Sequence, residues 1–319
     1  MNRRSLFGIL LATVLSTVFL FCACSFLAVG LFYHFFYLRY DTYCPTDLRV
    51  SDLKETVVPV TFDSDGDTLS GLFIGDGTNG VIVMVHGMRS GMDAHFAEAD
   101  YFAAHGYTVF TFDGRGTRTS GGGSRDSISA ARDDLDAALD YLEASAYGSL
   151  PVYLYGHSSG GYAAATELER ADAACVLSAF DDPIEVMCWY GKRYAGFLVY
   201  LQRPFLALWN RFEAGADANE RADEVIDRTD VPILIISGSD DNIIPPDLSV
   251  ASAVSKSDPN VSCVEWRGGH SGLWLSDDAL VYRETVKGAD PDTVDRLRFN
   301  AVDPVFLDTV LTFFEHPAA

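Results

Sequence analysis

The stretch Val152-Tyr153-Leu154-Tyr155-Gly156-His157-Ser158-Ser159-Gly160-Gly161 decides how this chain is read. An apolar run ends in a G-x-S-x-G motif, and an Ala-rich segment from Tyr162 to Leu168 follows with helical character. Strand, tight turn and helix in that order lift the central serine to the head of a sheet. A serine hydroxyl is a poor nucleophile until a base reaches it, and the turn that presents it is crowded. Small residues at Gly156 and Gly160 relieve the crowding, and the helix N-terminus beneath favours developing negative charge. The competing reading is a glycine-rich phosphate loop or a plain strand-to-helix turn.

Outward from this motif, further apolar runs lie at Val81–Val85, Thr108–Phe112, Cys175–Leu177 and Val231–Ile236, separated by helical stretches. Runs of this kind are strands of a parallel sheet covered on both faces. Ahead of them, Val57 to Phe62 and Leu69 to Ile74 flank the turn Asp63-Ser64-Asp65-Gly66-Asp67 and form a hairpin. Helices are expected over Asp93 to Ala104 and over Ser129 to Leu142, with Leu135, Ala138, Leu139 and Leu142 on one face. A last helix begins at Asp303-Pro304, an N-cap followed by a first-turn proline, and runs through Phe314. The alternation is α/β, with the ligand site at the carboxyl ends of the strands.

The motif's partners carry a resemblance to the α/β-hydrolase superfamily over about residues 56–316. Gly268-Gly269-His270-Ser271-Gly272 follows a strand-like Val261 to Trp266 and resembles the family's histidine loop. Gly238-Ser239-Asp240-Asp241-Asn242-Ile243-Ile244-Pro245 resembles its G-x-x-D-x-x-V-P loop, and Val83-Met84-Val85-His86-Gly87-Met88 its H-G-x turn. The resemblance implies a mostly parallel eight-stranded sheet with helices on both faces and a small helical cap, from an esterase, lipase or serine aminopeptidase-like branch. It implies Ser158 as nucleophile, His270 as general base, Asp241 as the acid that orients it, and the backbone N–H groups of Met88 and Ser159 as the oxyanion hole. Ser158, Asp241 and His270 come in the α/β-hydrolase order. Asp240 competes with Asp241 for the acid's role, with Asp181 and Asp182 as weaker alternatives. His34, His95, His105, His157 and His316 read as structural or solvated, and His86 as a brace for its loop. Asp113-Gly114-Arg115-Gly116 resembles the family's D-x-R-G turn and reads as structural, with a substrate contact from Arg115 or Arg118 as the minority reading. Aspartate at position 158 would indicate a dehalogenase or epoxide hydrolase; serine argues against both.

The N-terminus is a different object. After Arg3 and Arg4, Leu6 to about Phe36 carries no charged residue except His34, more than the ~20 residues that span a bilayer. A retained transmembrane anchor is favoured over a signal peptide, whose apolar core is shorter, and over a lipoprotein site at Phe21-Cys22-Ala23-Cys24. Arg3 and Arg4 precede the run and only Arg39 closely follows it, which places the N-terminus inside and the catalytic domain outside the cell. The expected organisation is an anchor over 1–40, a linker over 41–55 and a hydrolase domain over 56–319, with a cap inserted at about 183–228. Trp189, Tyr190, Tyr194, Phe197, Leu198, Leu201, Phe205, Leu208, Trp209 and Phe212 recur in that cap at helical spacing, with Pro204 breaking the run into two helices. For most of them packing on the core is the plain reading. A cap this aromatic over the serine is also expected to make an apolar pocket for lipophilic esters.

Composition bounds the alternatives. With 319 residues, 48% hydrophobic and 13% aromatic, the chain can bury a large core. A net charge of −22 opposes a nucleic-acid partner. Six cysteines without a CxxC pair of metal-site spacing exclude a disulfide scaffold and give no metal site, and Cys175 and Cys263 read as buried thiols. No metal or organic cofactor is expected. The expected reaction is hydrolysis of carboxylic esters through an acyl-serine, with a peptide amidase as runner-up and a catalytically silent binding protein as a distant third.

Overall fold

The computed structural model describes residues 3–125 and 127–317. Eight strands form one sheet: β1 (Val57–Ser64), β2 (Asp67–Ile74), β3 (Val81–Val85), β4 (Thr108–Asp113), β5 (Val152–His157), β6 (Ala173–Leu177), β7 (Ile233–Gly238) and β8 (Val261–Trp266). Their spatial order is β1-β2-β4-β3-β5-β6-β7-β8. Strand β2 runs antiparallel to both β1 and β4, and all other neighbours are parallel. The central strands are buried along their whole length, as a sheet with two covered faces requires.

Successive residues therefore serve different layers. Val81, Val83 and Val85 of β3 face a cluster with α3 (Ala130–Glu143, the next α-helix after α2, Phe96–Ala104) and α4 (Ser159–Thr166). Ile82 and Met84 face the other layer, with α2 and the terminal helix Pro304–Glu315. That last helix is capped as expected, the Asp303 carboxylate accepting from the Val305 amide at 3.0 Å. Cys175, on central β6, is buried, whereas Cys263 is exposed because β8 is the sheet's edge and carries only partial cover.

The N-terminal helix α1 (Arg3–Phe36) is long and apolar enough to cross a membrane. Its last third packs against the insertion after β6. There α5 (Pro183–Ala195) leads through a 3-10 segment, Gly196–Gln202, into α6 (Arg203–Ala214). The helical run breaks at that segment, and Pro204 sits at the start of α6 rather than between two long helices. Ser25, Val29 and Tyr33 are the buried positions of α1, and the Trp209 ring packs 4.7 Å from Phe26 and 6.3 Å from Tyr33. The Tyr33 hydroxyl donates to Asn210 Oδ1 at 3.2 Å. Asn210 in turn donates to the Ala218 carbonyl at 2.7 Å and to Ser129 at 3.0 Å, so its own amide is paired at this joint, whereas Gln202 Oε1 and Trp209 Nε1 are buried without a partner among the described residues.

Candidate active site

Ser158 sits between β5 and α4 with φ 57° and ψ −116°, a left-handed conformation that costs a β-carbon-bearing residue energy. The turn holds it: its N–H donates to Leu177 and its carbonyl accepts from Tyr162. The neighbouring glycines are required by contact. A β-carbon on Gly156 would lie 2.2 Å from the Gly160 carbonyl oxygen, and one on Gly160 would lie 2.1 Å from that of Val85. Gly87 brings the loop after β3 near as well, though less tightly, a β-carbon there meeting Ser158 Cβ at 3.2 Å.

The loops after β7 and β8 bring two more side chains to this point. His270 Nε2 lies 3.0 Å from Ser158 Oγ, and Nδ1 lies 2.9 Å from Asp241 Oδ2. Asp241 Oδ1 accepts the amides of Ile243 and Ile244, both at 2.9 Å. Burial opposes the charge on Asp241, but the bond from His270 and these two amides outweigh it and hold its pKa below the ordinary carboxylate value. The other acidic candidates are elsewhere. Asp240 accepts from Ser239, Asp181 pairs with Arg221, and Asp182 caps α5. With Asp241 accepting at Nδ1–H, Nε2 is left as the acceptor facing the serine hydroxyl, the arrangement in which an imidazole can take its proton.

Met88 lines the same space, and Ser159 opens α4 directly after the serine. Neither residue's backbone amide has a hydrogen-bond partner among the described residues. His86 is buried behind the loop, where its Nε2 accepts from Gly114 N–H at 3.1 Å and its Nδ1 donates to the Gly87 carbonyl at 2.8 Å. Burial and the Arg125 charge keep this imidazole neutral. His157, pointing back under the turn, donates from Nε2 to the His270 carbonyl at 2.7 Å.

The cavity in front of Ser158 has a volume of about 240 Å³. Its walls include Asp47, Arg89, His95, His157, Arg283 and Asn300. The aromatic stripe of 183–228 does not line this cavity, contrary to the roof expected over the serine; Tyr190, Phe205 and Trp209 pack on α1, and Tyr194, Phe197, Leu198, Leu201, Leu208 and Phe212 are exposed. Nor does Arg115 or Arg118 reach it. Arg115 is buried against Asp134 at 2.8 Å, and Arg118 pairs with Asp93 beneath Tyr43. Asp47, Arg89, Arg283 and Asn300 carry no sequence motif. His95, read as structural or solvated, lines the pocket with its Nδ1 2.7 Å from buried Glu98.

Comparison with known proteins agrees with this fold. A family model described as serine aminopeptidase, S33, matches residues 76–183, which hold Ser158 but end before Asp241 and His270. No curated protein sequence matches the chain. Among solved structures, an esterase of Pyrococcus furiosus superposes with a TM-score of 0.57 at 17% identity, covering 82% of this chain and 98% of its own. The Pyrococcus horikoshii acylaminoacyl peptidase gives 0.55 at 17% identity, over 84% of this chain and 42% of its own. Est1E of Butyrivibrio proteoclasticus with bound ferulic acid gives 0.51 at 19%, over 72% and 96%. By its sheet order and its strand-to-helix serine turn, the chain has the α/β-hydrolase fold, and its segment 76–183 matches the serine aminopeptidase, S33, family model across that turn.

Proposed function

We propose that the protein hydrolyses carboxylic esters, with a lipophilic acyl group, through an acyl-Ser158 intermediate. The observation that carries this is the His270 ring held between Ser158 Oγ at 3.0 Å and Asp241 Oδ2 at 2.9 Å. In the first step His270 Nε2 takes the serine proton as Oγ bonds to the ester carbonyl carbon, and Asp241 balances the imidazolium. The amides of Met88 and Ser159 receive the oxyanion, each contributing roughly 3–4 kcal/mol to the transition state. The C–O bond then breaks and the alcohol leaves with the proton from His270. Water, deprotonated by the same nitrogen, releases the acid and restores the serine.

In this reading residues 1–40 anchor the chain in a membrane, 41–55 link it to the hydrolase domain over 56–319, and the cap is 183–228. Support comes from the length and apolarity of α1. Arg3 and Arg4 ahead of it favour a cytoplasmic N-terminus and an outward-facing hydrolase.

The test is fluorophosphonate labelling of the detergent-solubilised chain and of Ser158→Ala, with turnover of p-nitrophenyl esters from acetate to palmitate. Labelling confined to wild type, with turnover rising with chain length, is the expected result. Absence of labelling in folded wild type would overturn it. A second reading, cleavage of an amide next to a free amine, is favoured by the Asp47 carboxylate in the pocket and by the peptidase description of the matching family model. It requires turnover of aminoacyl p-nitroanilides that Asp47→Asn abolishes while ester turnover survives.

A further inference from the structure

Besides the pocket at the serine, the chain holds a larger and chemically opposite cavity, of about 440 Å³, between α1 and the cap. Ala28, Phe32 and Phe36 of α1 form one wall, and Met187, Val199 and Leu206 of the cap the other; Gln202 is its polar exception. The volume is that of a small-molecule site.

Three features say what fills it. First, α1 has 34 residues, about 51 Å at ~1.5 Å per residue, against a hydrocarbon core of about 30 Å. If the exposed N-terminal part crosses the bilayer, the docked part from Ser25 onward, and the cavity beside it, lie at the bilayer surface. Second, the cap exposes Tyr194, Phe197, Leu198, Leu201 and Phe212, large apolar side chains of the kind that meet a membrane or a partner. Third, in a chain of net charge −22 the two cap helices that face α1, α5 and α6, carry Lys192, Arg193, Arg203 and Arg211 against Glu185, which pairs with Arg203, and Glu213, while the other acidic residues of the cap lie beyond them from Asp217 onward. Basic and aromatic residues together on an otherwise acidic protein are complementary to phospholipid headgroups.

The cavity also adjoins the serine. Phe36 lines it, and the Arg89 guanidinium lies 5.3 Å from the centroid of the Phe36 ring. Arg89, with Met88 before it, lines the pocket at Ser158. Tyr190 packs 6.5 Å from Phe36 on the other side, its hydroxyl donating to the Ile243 carbonyl at 3.3 Å, in the loop that carries Asp241. Phe36 and Arg89, in contact with each other, thus each line one of the two spaces.

We infer that this cavity is the acyl-chain site for an ester lipid drawn sideways from the bilayer, its carbonyl passing Phe36 to reach Ser158 while the polar alcohol part occupies the pocket walled by Asp47, Arg89 and Arg283. The inference rests on the ester-hydrolase reading and assigns its substrate class. It also explains why the serine pocket itself is polar: the apolar half of the substrate is housed elsewhere.

The experiment uses the full chain in vesicles of phosphatidylcholine with a minority of phosphatidylglycerol. Two substitutions fill the cavity from opposite walls, Ala28→Trp and Ala195→Trp, both at positions exposed outside the core. Each variant is labelled with ethyl and hexadecyl fluorophosphonates and assayed on p-nitrophenyl acetate and palmitate. Both are expected to lose the long-chain reactions by at least about tenfold while the short-chain reactions stay within about twofold, as loss of a few buried methylenes predicts. Long and short substrates changing in parallel, or the long ones not changing, would overturn the acyl-site inference while leaving the ester-hydrolase reading intact. A wild-type chain that the ethyl probe does not label would overturn both.

Discussion

His157 holds His270 by the backbone: its Nε2–H donates to the His270 carbonyl oxygen at 2.7 Å, while the His270 ring turns the other way toward Ser158. Burial first, and then the neighbouring His270 and His95, keep His157 neutral, so a single N–H remains and it is committed to this bond. His157 is thus a positioning residue. His157→Phe is expected to lower kcat about tenfold to a hundredfold on p-nitrophenyl acetate with KM within about twofold, because an ångström of slack in a base costs that much. His157→Gln, which still offers an N–H, recovers part of the loss; equal loss in both variants would show that the bond itself is unimportant.

Asp241→Asn removes the acceptor that fixes the His270 tautomer. The expected loss in kcat is about 10⁴-fold with the labelled site still folded. Stability follows the lowered pKa of this carboxylate. Its contribution is complete above the ordinary value of 3.8 and disappears as the pH falls through the lower folded value. Urea melts of wild type and variant should therefore differ at pH 7 and converge in strong acid.

Gly160→Ala forces a β-carbon to within 2.1 Å of the Val85 carbonyl oxygen, whereas at Gly123 nothing lies within 4 Å. The first substitution is expected to destabilise the fold by about 3 kcal/mol or more. The second is expected to stay within ~0.5 kcal/mol. Chemical denaturation of the pair checks the turn's crowding directly.

Asp133 on α3 titrates in the opposite sense from Asp241. Burial, aided by Asp134 and Asp65 and opposed by Arg115, pushes its pKa up to about 7 from 3.8. Between those values the folded state keeps a proton that the unfolded chain has released, so stability falls as the pH rises through this window. Asp133→Asn is expected to stabilise the protein by about 1–2 kcal/mol at pH 8 and to change little at pH 4. Thermal melts at the two pH values test it, and equal shifts at both would refute it.

The sheet was legible because its strands are buried on both faces and so read as unbroken apolar runs. Strand β3 lies on its run at Val81–Val85, and β4 on Thr108–Asp113 begins where its run begins. Strand β7 starts at Ile233, two residues inside the run that opens at Val231, because Pro232 has no N–H for a ladder. The positions of Ser158, Asp241 and His270 were legible from loop motifs. The far wall of the pocket was not, since Asp47, Arg283 and Asn300 meet only in three dimensions, where Asn300 donates to the Thr46 carbonyl at 2.7 Å. The docking of α1 was also hidden: a helix apolar all round has no stripe to single out Ser25, Val29 and Tyr33. Without that docking, the aromatic cap reads as packing on the core or as a roof over the serine, and its contact with α1 goes unseen.

The burial of Val29, Tyr33 and Tyr37 in the same cluster as the central strands makes the N-terminal helix part of the enzyme's own core. A flexible tether would let the catalytic domain tumble above a membrane. This rigid joint instead fixes the tilt and height of the serine relative to the helix axis, as a lathe fixes a tool. Cutting the chain after Tyr40 would consequently do more than release a soluble enzyme. It would uncover Trp209, Phe205 and Leu206 to water, leaving a protein prone to self-association.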